Sequence, residues 1–144
     1  MASARENDLN PDISIGLKLP FKRGRSGLFQ QSQTTLEQVG SNIKNLLLTS
    51  KGERIMQPEF GSRLRDLLFE QYTEELPKRV KEEIVNAVST WLPFITIDSV
   101  EVIQDETDLN QIRVDLHFAL NYEPNRFESI TLNFDTTSES TSGY

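Results

Sequence analysis

The sequence predicts an α+β fold: an N-terminal strand and three helices packed on a three-stranded antiparallel meander. Two observations predict it. Between Thr34 and Trp91 apolar residues recur at steps of three and four, and beyond Pro93 they recur at steps of two. A third sets the scale: 144 residues can bury a real core but leave no room for a second full domain. The expected organisation is a flexible arm over 1–12, a single domain over 13–134 and an acidic disordered tail over 135–144.

Met1 to Asp12 offers Ser, Arg, Glu, Asn, Asp and Pro with little to bury, hence the arm. Ile13, Ile15, Leu17 and Leu19 alternate with Ser14, Gly16 and Lys18, which predicts one short strand stopped by Pro20. Phe21 to Ser32, rich in Gly, Ser, Gln and Arg, reads as a loop. Thr34 and Thr35 stand three residues before Glu37 and Gln38, the spacing of a capping box. Leu36, Val39, Ile43, Leu46 and Leu47 then share one helical face, and the helix ends near Leu48. After a turn-rich connection around Gly52, Phe60, Leu64, Leu67 and Leu68 predict a second, short helix entered near Gly61 and Ser62.

The longest helix carries Leu76, Val80, Ile84, Ala87, Val88 and Trp91 on one face. Its start lies between Thr73, a cap followed by Glu74 and Glu75, and Glu75 itself, because Pro77 prefers the first turn. Pro93 ends it by disfavouring helical geometry at Leu92. Ile112, Val114, Leu116, Phe118, Leu120 and Tyr122 then alternate with polar residues, and Ile130, Leu132 and Phe134 repeat the pattern after a turn at Glu123, Pro124 and Asn125. Ile95 to Gln104 is a strand whose apolar phase shifts, which predicts a bulge near Asp98 and Ser99. Asp105 to Asn110 closes its hairpin.

Composition excludes several classes of function. There is no cysteine and one histidine, so disulfides, thiol nucleophiles and Cys-based zinc sites are out. No apolar run approaches the length of a membrane span and no signal peptide opens the chain, which predicts a protein kept in the cytoplasm or built into a particle there, with no membrane partner. The net charge of −7 is unevenly spread: 10 Lys/Arg face 6 Asp/Glu through Arg65, and 5 face 16 afterwards. An acidic C-terminal half argues against a phosphate backbone as ligand, and opposed halves suit docking between different neighbours.

Catalytic constellations are sparse. His117 alternates with the apolar set of its strand and belongs on the wet face, and no G-x-S-x-G nucleophile elbow occurs. Glu53, Glu59, Asp66 and Glu70 are the carboxylates a muramidase would have to draw on, and nothing in their spacing selects an acid and its partner. Asp105, Glu106 and Asp108 lack the glycine and terminal glutamate of a calcium loop. No P-loop or dinucleotide fingerprint is present, so neither a cofactor nor a nucleotide is expected. Lys18, Lys22, Arg23 and Arg25, interleaved with Phe21 and Phe29, form the one basic and aromatic patch. Docking to an acidic protein surface is its better use, and nucleic acid is not an expected partner.

The most informative segment is KGERIMQPEFGSRLRDLLFE, Lys51 to Glu70. Gly52 and Gly61 permit backbone angles or close approaches that side chains forbid, and Pro58 stiffens the chain between them. The segment reads as a rigid elbow between two helices, anchored to the core by Ile55, Met56, Phe60 and Leu64 and displaying Glu53 and Arg54. On composition alone such an elbow need do no more than pack its own helices.

This segment resembles the baseplate wedge family of contractile tails, often labelled lysozyme-like, found beside the sheath in contractile phages and in type VI secretion baseplates. The resemblance covers about Ile13 to Phe134, through Ile15-Gly16, Leu19-Pro20-Phe21, Asn42-Ile43 and Leu46-Leu47-Leu48-Thr49, with the Gly-Glu-Arg, Pro and Phe-Gly spacing its most specific part. One departure stands out: family members often carry Glu-Pro-Arg where this chain reads Leu92-Pro93-Phe94, so an apolar contact would replace a charged one.

The resemblance implies a structural protein without enzymatic activity, cofactor or metal. It implies a place in the virion at the baseplate next to the sheath, reached by assembly in the host cytoplasm. Its implied partners are the tail sheath protein, to whose strands it would offer sheet edges to start sheath assembly, the helical core bundle of other wedge proteins, and central hub or tube proteins. The residues implied in partner binding are Gly52, Glu53, Arg54, Pro58, Phe60, Gly61, Trp91, Leu92, Pro93 and Phe94, and the basic patch read from the residues themselves adds Lys18, Lys22 and Arg23. The alternatives are a type VI secretion baseplate component of the same fold and, from a different class, a cell-wall muramidase.

Overall fold

A computed structural model of the chain describes residues 6, 8–10, 12–24, 28–70, 73–104 and 111–135. By internal contacts the chain divides into two compact units, Met1–Asn42 and Ile43–Tyr144. Among the described residues the secondary structure is mixed, with three helices of defined bounds and a three-stranded antiparallel sheet, as the sequence predicts.

In the first unit β1 (Gly16–Leu17) pairs antiparallel with β2 (Gln31–Ser32). Two further backbone bonds flank the pair, Ile15 N–H to Ser32 O at 2.9 Å and Lys18 N–H to Gln30 O at 3.0 Å. Two expectations are thereby corrected. The strand expected over 13–19 is two residues long, and part of the expected loop is its partner. The reason is that Ile13 and Leu17 are exposed, so their alternation marks no buried face. The partner strand contributes backbone donors and acceptors from a Gln-Ser pair, whose side chains carry no strand signal.

Helix α1 (Thr35–Leu48) starts where the capping spacing places it. Thr34 Oγ1 accepts the Glu37 N–H at 3.3 Å, and Glu37 Oε2 accepts the Gln33 N–H at 3.2 Å, a reciprocal arrangement that satisfies donors a helix start leaves unpaired. Asp8, inside the expected arm, adds a further cap: its Oδ1 accepts the Thr35 N–H at 2.7 Å and the Thr35 hydroxyl at 2.8 Å. Residues 1–5, 7 and 11 of that arm lie outside the described residues.

In the second unit α2 spans Leu64–Phe69 and α3 spans Leu76–Trp91. Glu75 takes the N-cap position with Pro77 in the first turn, so of the two predicted starts the later one is observed. At the other end the Leu92 N–H still reaches Val88 O at 2.7 Å, and the chain then turns away at Pro93. The buried face of α3 is Leu76, Val80, Ile84, Ala87 and Val88, five of the six predicted residues.

The meander runs β3 (Ile95–Gln104), β4 (Gln111–Leu120) and β5 (Glu123–Asp135), in that spatial order. Register puts Val100, Leu116 and Ile130 on one rung and Val102, Val114 and Leu132 on the next, and this face is the core side. The phase shift in β3 is a bulge between Ile97 and Ser99, as expected. The turn between β4 and β5 is misplaced in the sequence reading: it lies at Asn121 and Tyr122, and Glu123, Pro124 and Asn125 already belong to β5. Pro124 and Asn125 act instead in a register shift, since Ala119 faces Phe127 while Leu120 faces Glu123. An edge strand tolerates that proline because its outward side needs no ladder donor. The predicted hairpin at 105–110 and the tail beyond Asp135 lie outside the described residues.

Candidate functional site

The elbow is a loop closed on itself. Thr49 O accepts the Ser62 N–H at 2.9 Å, and inside that closure the Gly52 N–H donates to Pro58 O at 2.7 Å. Gly61 sits at φ +121°, and a Cβ there would lie 2.4 Å from Thr49 O, so the closure requires glycine. Gly52 has φ +87° with open space around it, so only its backbone angle calls for glycine.

Ser62, which the sequence reading placed only at a helix entrance, is 2% exposed and makes the elbow's central bond. Its hydroxyl donates to Leu47 O at 2.9 Å, a carbonyl at the end of α1, and accepts the Leu64 N–H at 3.3 Å, a free donor at the start of α2. One small side chain thus joins the unpaired ends of two helices. The signal was a serine two residues before an apolar run, which marks a cap but not its second partner.

Three predicted site residues come together on the elbow. The Arg54 guanidinium lies 3.8 Å from the Phe60 ring centroid, and Phe60 meets Trp91 edge-on at 5.1 Å. Glu53 is exposed, with Oε2 accepting the Ser50 N–H at 2.9 Å. The expectation for Ile55 and Met56 is overturned: they are 94% and 95% exposed and anchor nothing. The Gln57 N–H bonds Arg54 O at 3.2 Å, so both residues occupy the corner of a turn, where side chains point outward.

Leu92, Pro93 and Phe94 form the junction to β3, held by a residue the sequence reading passed over. Asn121 donates its backbone N–H to Phe94 O at 3.0 Å and its side-chain N–H to Pro93 O at 3.2 Å, and accepts from the Thr96 hydroxyl. Phe94 is 42% exposed beside this clamp. Lys18, Lys22 and Arg23 belong to the first unit, where they line a cleft of about 480 Å³. Arg25 lies outside the described residues, as do Asp105, Glu106 and Asp108.

Four carboxylates are the ones a muramidase would have to draw on: Glu53, Glu59, Asp66 and Glu70. Glu53, Glu59 and Asp66 are exposed. The Arg79 guanidinium, bonded to Glu70, holds the Glu70 carboxyl below the usual glutamate range, opposite to what a general acid needs. His117 pairs across the sheet with Ser99 and Ser129, on the face away from the core, as predicted.

The family described as baseplate wedge protein gp25 matches residues 33–125. The chain is 30% identical over 129 residues to baseplate wedge protein gp25 of Enterobacteria phage T4, covering 90% of this chain and 93% of that one. In fold it is similar to a putative tail lysozyme from Geobacter sulfurreducens, with TM-score 0.66 at 21% identity over 76% of this chain and 97% of the other. It is similar also to a chain of the anti-feeding prophage baseplate, with TM-score 0.54 at 18% identity over 86% of each. The extent of the family match and the length of the phage T4 alignment lead to one assignment: this chain belongs to the gp25 family of baseplate wedge proteins, structural components of contractile-tail baseplates.

Proposed function

We propose that this protein is a non-enzymatic wedge component that joins the wedge core to the tail sheath at the virion baseplate and starts sheath assembly by lending a sheet edge to sheath strands. The observation that carries the reading is the outer strand of the meander. In the order β3-β4-β5 two strands are at the edges. The β3 edge is broken by its bulge between Ile97 and Ser99, which blunts pairing. From Phe127 to Asp135 the β5 strand keeps an unbroken register with β4, so its outward backbone groups form a continuous template for an added strand.

The elbow supplies the second attachment, toward the helical core of other wedge subunits. Ile55 and Met56 stand fully exposed on a backbone locked by Gly61, Ser62 and the Gly52 to Pro58 bond. Apolar side chains held rigidly in water are what an anchor into a partner's pocket requires. Assembly in the host cytoplasm and contacts with hub or tube proteins complete the reading.

Deletion of the gene tests it, with particles examined by electron microscopy: loss of sheathed tails is expected, and intact sheathed tails would refute the role. Two surface variants separate the attachments. Ser129→Lys with Asn133→Lys charges the β5 edge and should leave wedges assembled but without sheath. Ile55→Ser with Met56→Ser should give a folded chain that fails to enter wedges.

A further inference from the structure

The first unit holds a cleft lined by residues of its own. Its walls are tied at the backbone: Gln30 accepts the Lys18 N–H at its carbonyl (3.0 Å) and donates its own N–H to Lys22 O (2.7 Å). The Phe21 and Phe29 rings pack at 5.5 Å, and Gly24 approaches so closely that a Cβ would lie 2.6 Å from Phe29 O. Lys22 is therefore presented from backbone tied to Gln30, with Gly24 beside it packed on Phe29.

Charge within the cleft is not balanced. Lys18 Nζ meets Glu37 Oε1 at 2.9 Å, and Glu37 Oε2 is taken by the Gln33 N–H, so this pair forms a neutral part of the lining. Lys22 and Arg23 are exposed and have no ion-pair partner among the described residues. Among the described residues the lining thus keeps two positive charges, with Gln30, Gln31 and Phe29 lining the same cleft. Carboxamides donate and accept hydrogen bonds, which suits a peptide backbone, and two cations suit a pair of carboxylates.

We propose that this cleft takes an acidic peptide segment of a partner protein. A volume of about 480 Å³ accommodates two or three residues. Protein is favoured over nucleic acid by charge: a chain of net charge −7 repels a long polyanion, and two cations neutralise too few phosphates to overcome that repulsion. A short acidic segment needs only the local field.

The test uses the full chain and a fluorescein-labelled octapeptide of alternating Asp and Gly, with binding read by anisotropy at low salt and a twelve-residue single-stranded oligonucleotide as the rival probe. Saturable peptide binding is expected, weakened about tenfold by Lys22→Ala and again by Arg23→Ala. The control Lys78→Ala with Lys81→Ala, cations on α3, should leave it unchanged. Circular dichroism checks that the variants fold, as substitutions at exposed positions should allow. No peptide binding, equal loss in the control, or tighter binding of the oligonucleotide would each overturn the proposal. None of these outcomes bears on the sheath and wedge contacts, which are read from particles.

Discussion

Gly61 and Gly52 offer a paired test of how the elbow is built, because both have positive φ but only one is crowded. At Gly61, alanine places a Cβ 2.4 Å from Thr49 O and 3.0 Å from the Ser50 carbonyl carbon, both backbone atoms that cannot swing aside. The angle of +121° adds strain of about 1 to 3 kcal/mol for an L-residue. Relief of the clash must lengthen the bond from Ser62 N–H to Thr49 O, costing about 1 kcal/mol more. Gly61→Ala should therefore destabilise by about 2 to 4 kcal/mol. Gly52→Ala meets nothing within 4 Å and pays only for its angle, about 1 kcal/mol. For a chain of this size the two should lower Tm by about 10 °C and about 3 °C respectively. Thermal unfolding followed by circular dichroism measures both. Equal shifts, or a larger one at Gly52, would refute the claim that backbone closure at Thr49 is what demands a glycine at 61.

The remaining predictions address the contacts around that closure. Ser62→Ala leaves Leu47 O and Leu64 N–H without their buried partner and should cost about 1 to 3 kcal/mol in urea denaturation. Phe60→Ala should shift the emission of Trp91, the one tryptophan in the chain, to longer wavelength as water reaches the exposed edge of the indole. Asn121→Ala should speed hydrogen exchange at Thr96 and its neighbours with a modest loss of stability, about 1 to 2 kcal/mol, since the clamp is solvent-exposed. At Glu37 burial pushes the carboxyl up, but hydrogen bonds from Lys18, Gln33 and Thr34 together with the Lys18 charge outweigh it and hold the carboxyl below its ordinary value of 4.5. The contribution is present above that value and lost as pH falls through the depressed one, so Glu37→Gln should flatten the stability profile below about pH 4.5.

What the sequence made legible, and what it hid, follows from the range of the interactions. The α3 face and the core face of β4 were readable because periodicity is local: each residue's burial depends on neighbours at fixed spacing. The α1 start was readable for the same reason, since Thr34 and Glu37 lie within one turn. Ile55 and Met56 were misread because hydrophobicity predicts burial only when the backbone allows it. Here the bond from the Gln57 N–H to Arg54 O closes a turn that lifts both residues into water. Asn121 was invisible for a sharper reason. It looked like one polar residue in an alternating strand, while its partners Pro93, Phe94 and Thr96 lie more than twenty residues earlier. Asp8 reaches Thr35 across a similar distance. Of the implied site residues, the glycines were legible from local chemistry, and the stacking of Arg54 on Phe60 and Phe60 on Trp91 required the fold.

These hidden contacts share a direction through the second unit. From the tip at Ile55 the chain steps to Arg54, whose guanidinium rests on Phe60, and Phe60 packs on Trp91 at the end of α3. The Ile95 N–H returns to Leu92 O at 3.1 Å, and Asn121 then fastens Pro93 and Phe94 to the turn between β4 and β5. Each link is an aromatic contact or a geometrically defined hydrogen bond, and no flexible linker intervenes. A protein that only filled space would not need its exposed apolar tip connected so stiffly to its sheet. The connector proposed above does, because slack between its two attachments would blur the position of anything received at the β5 edge. On that argument Asn121, bonding Pro93 and Phe94 through their backbone carbonyls, holds the Leu92-Pro93-Phe94 junction in place whichever side chains it carries.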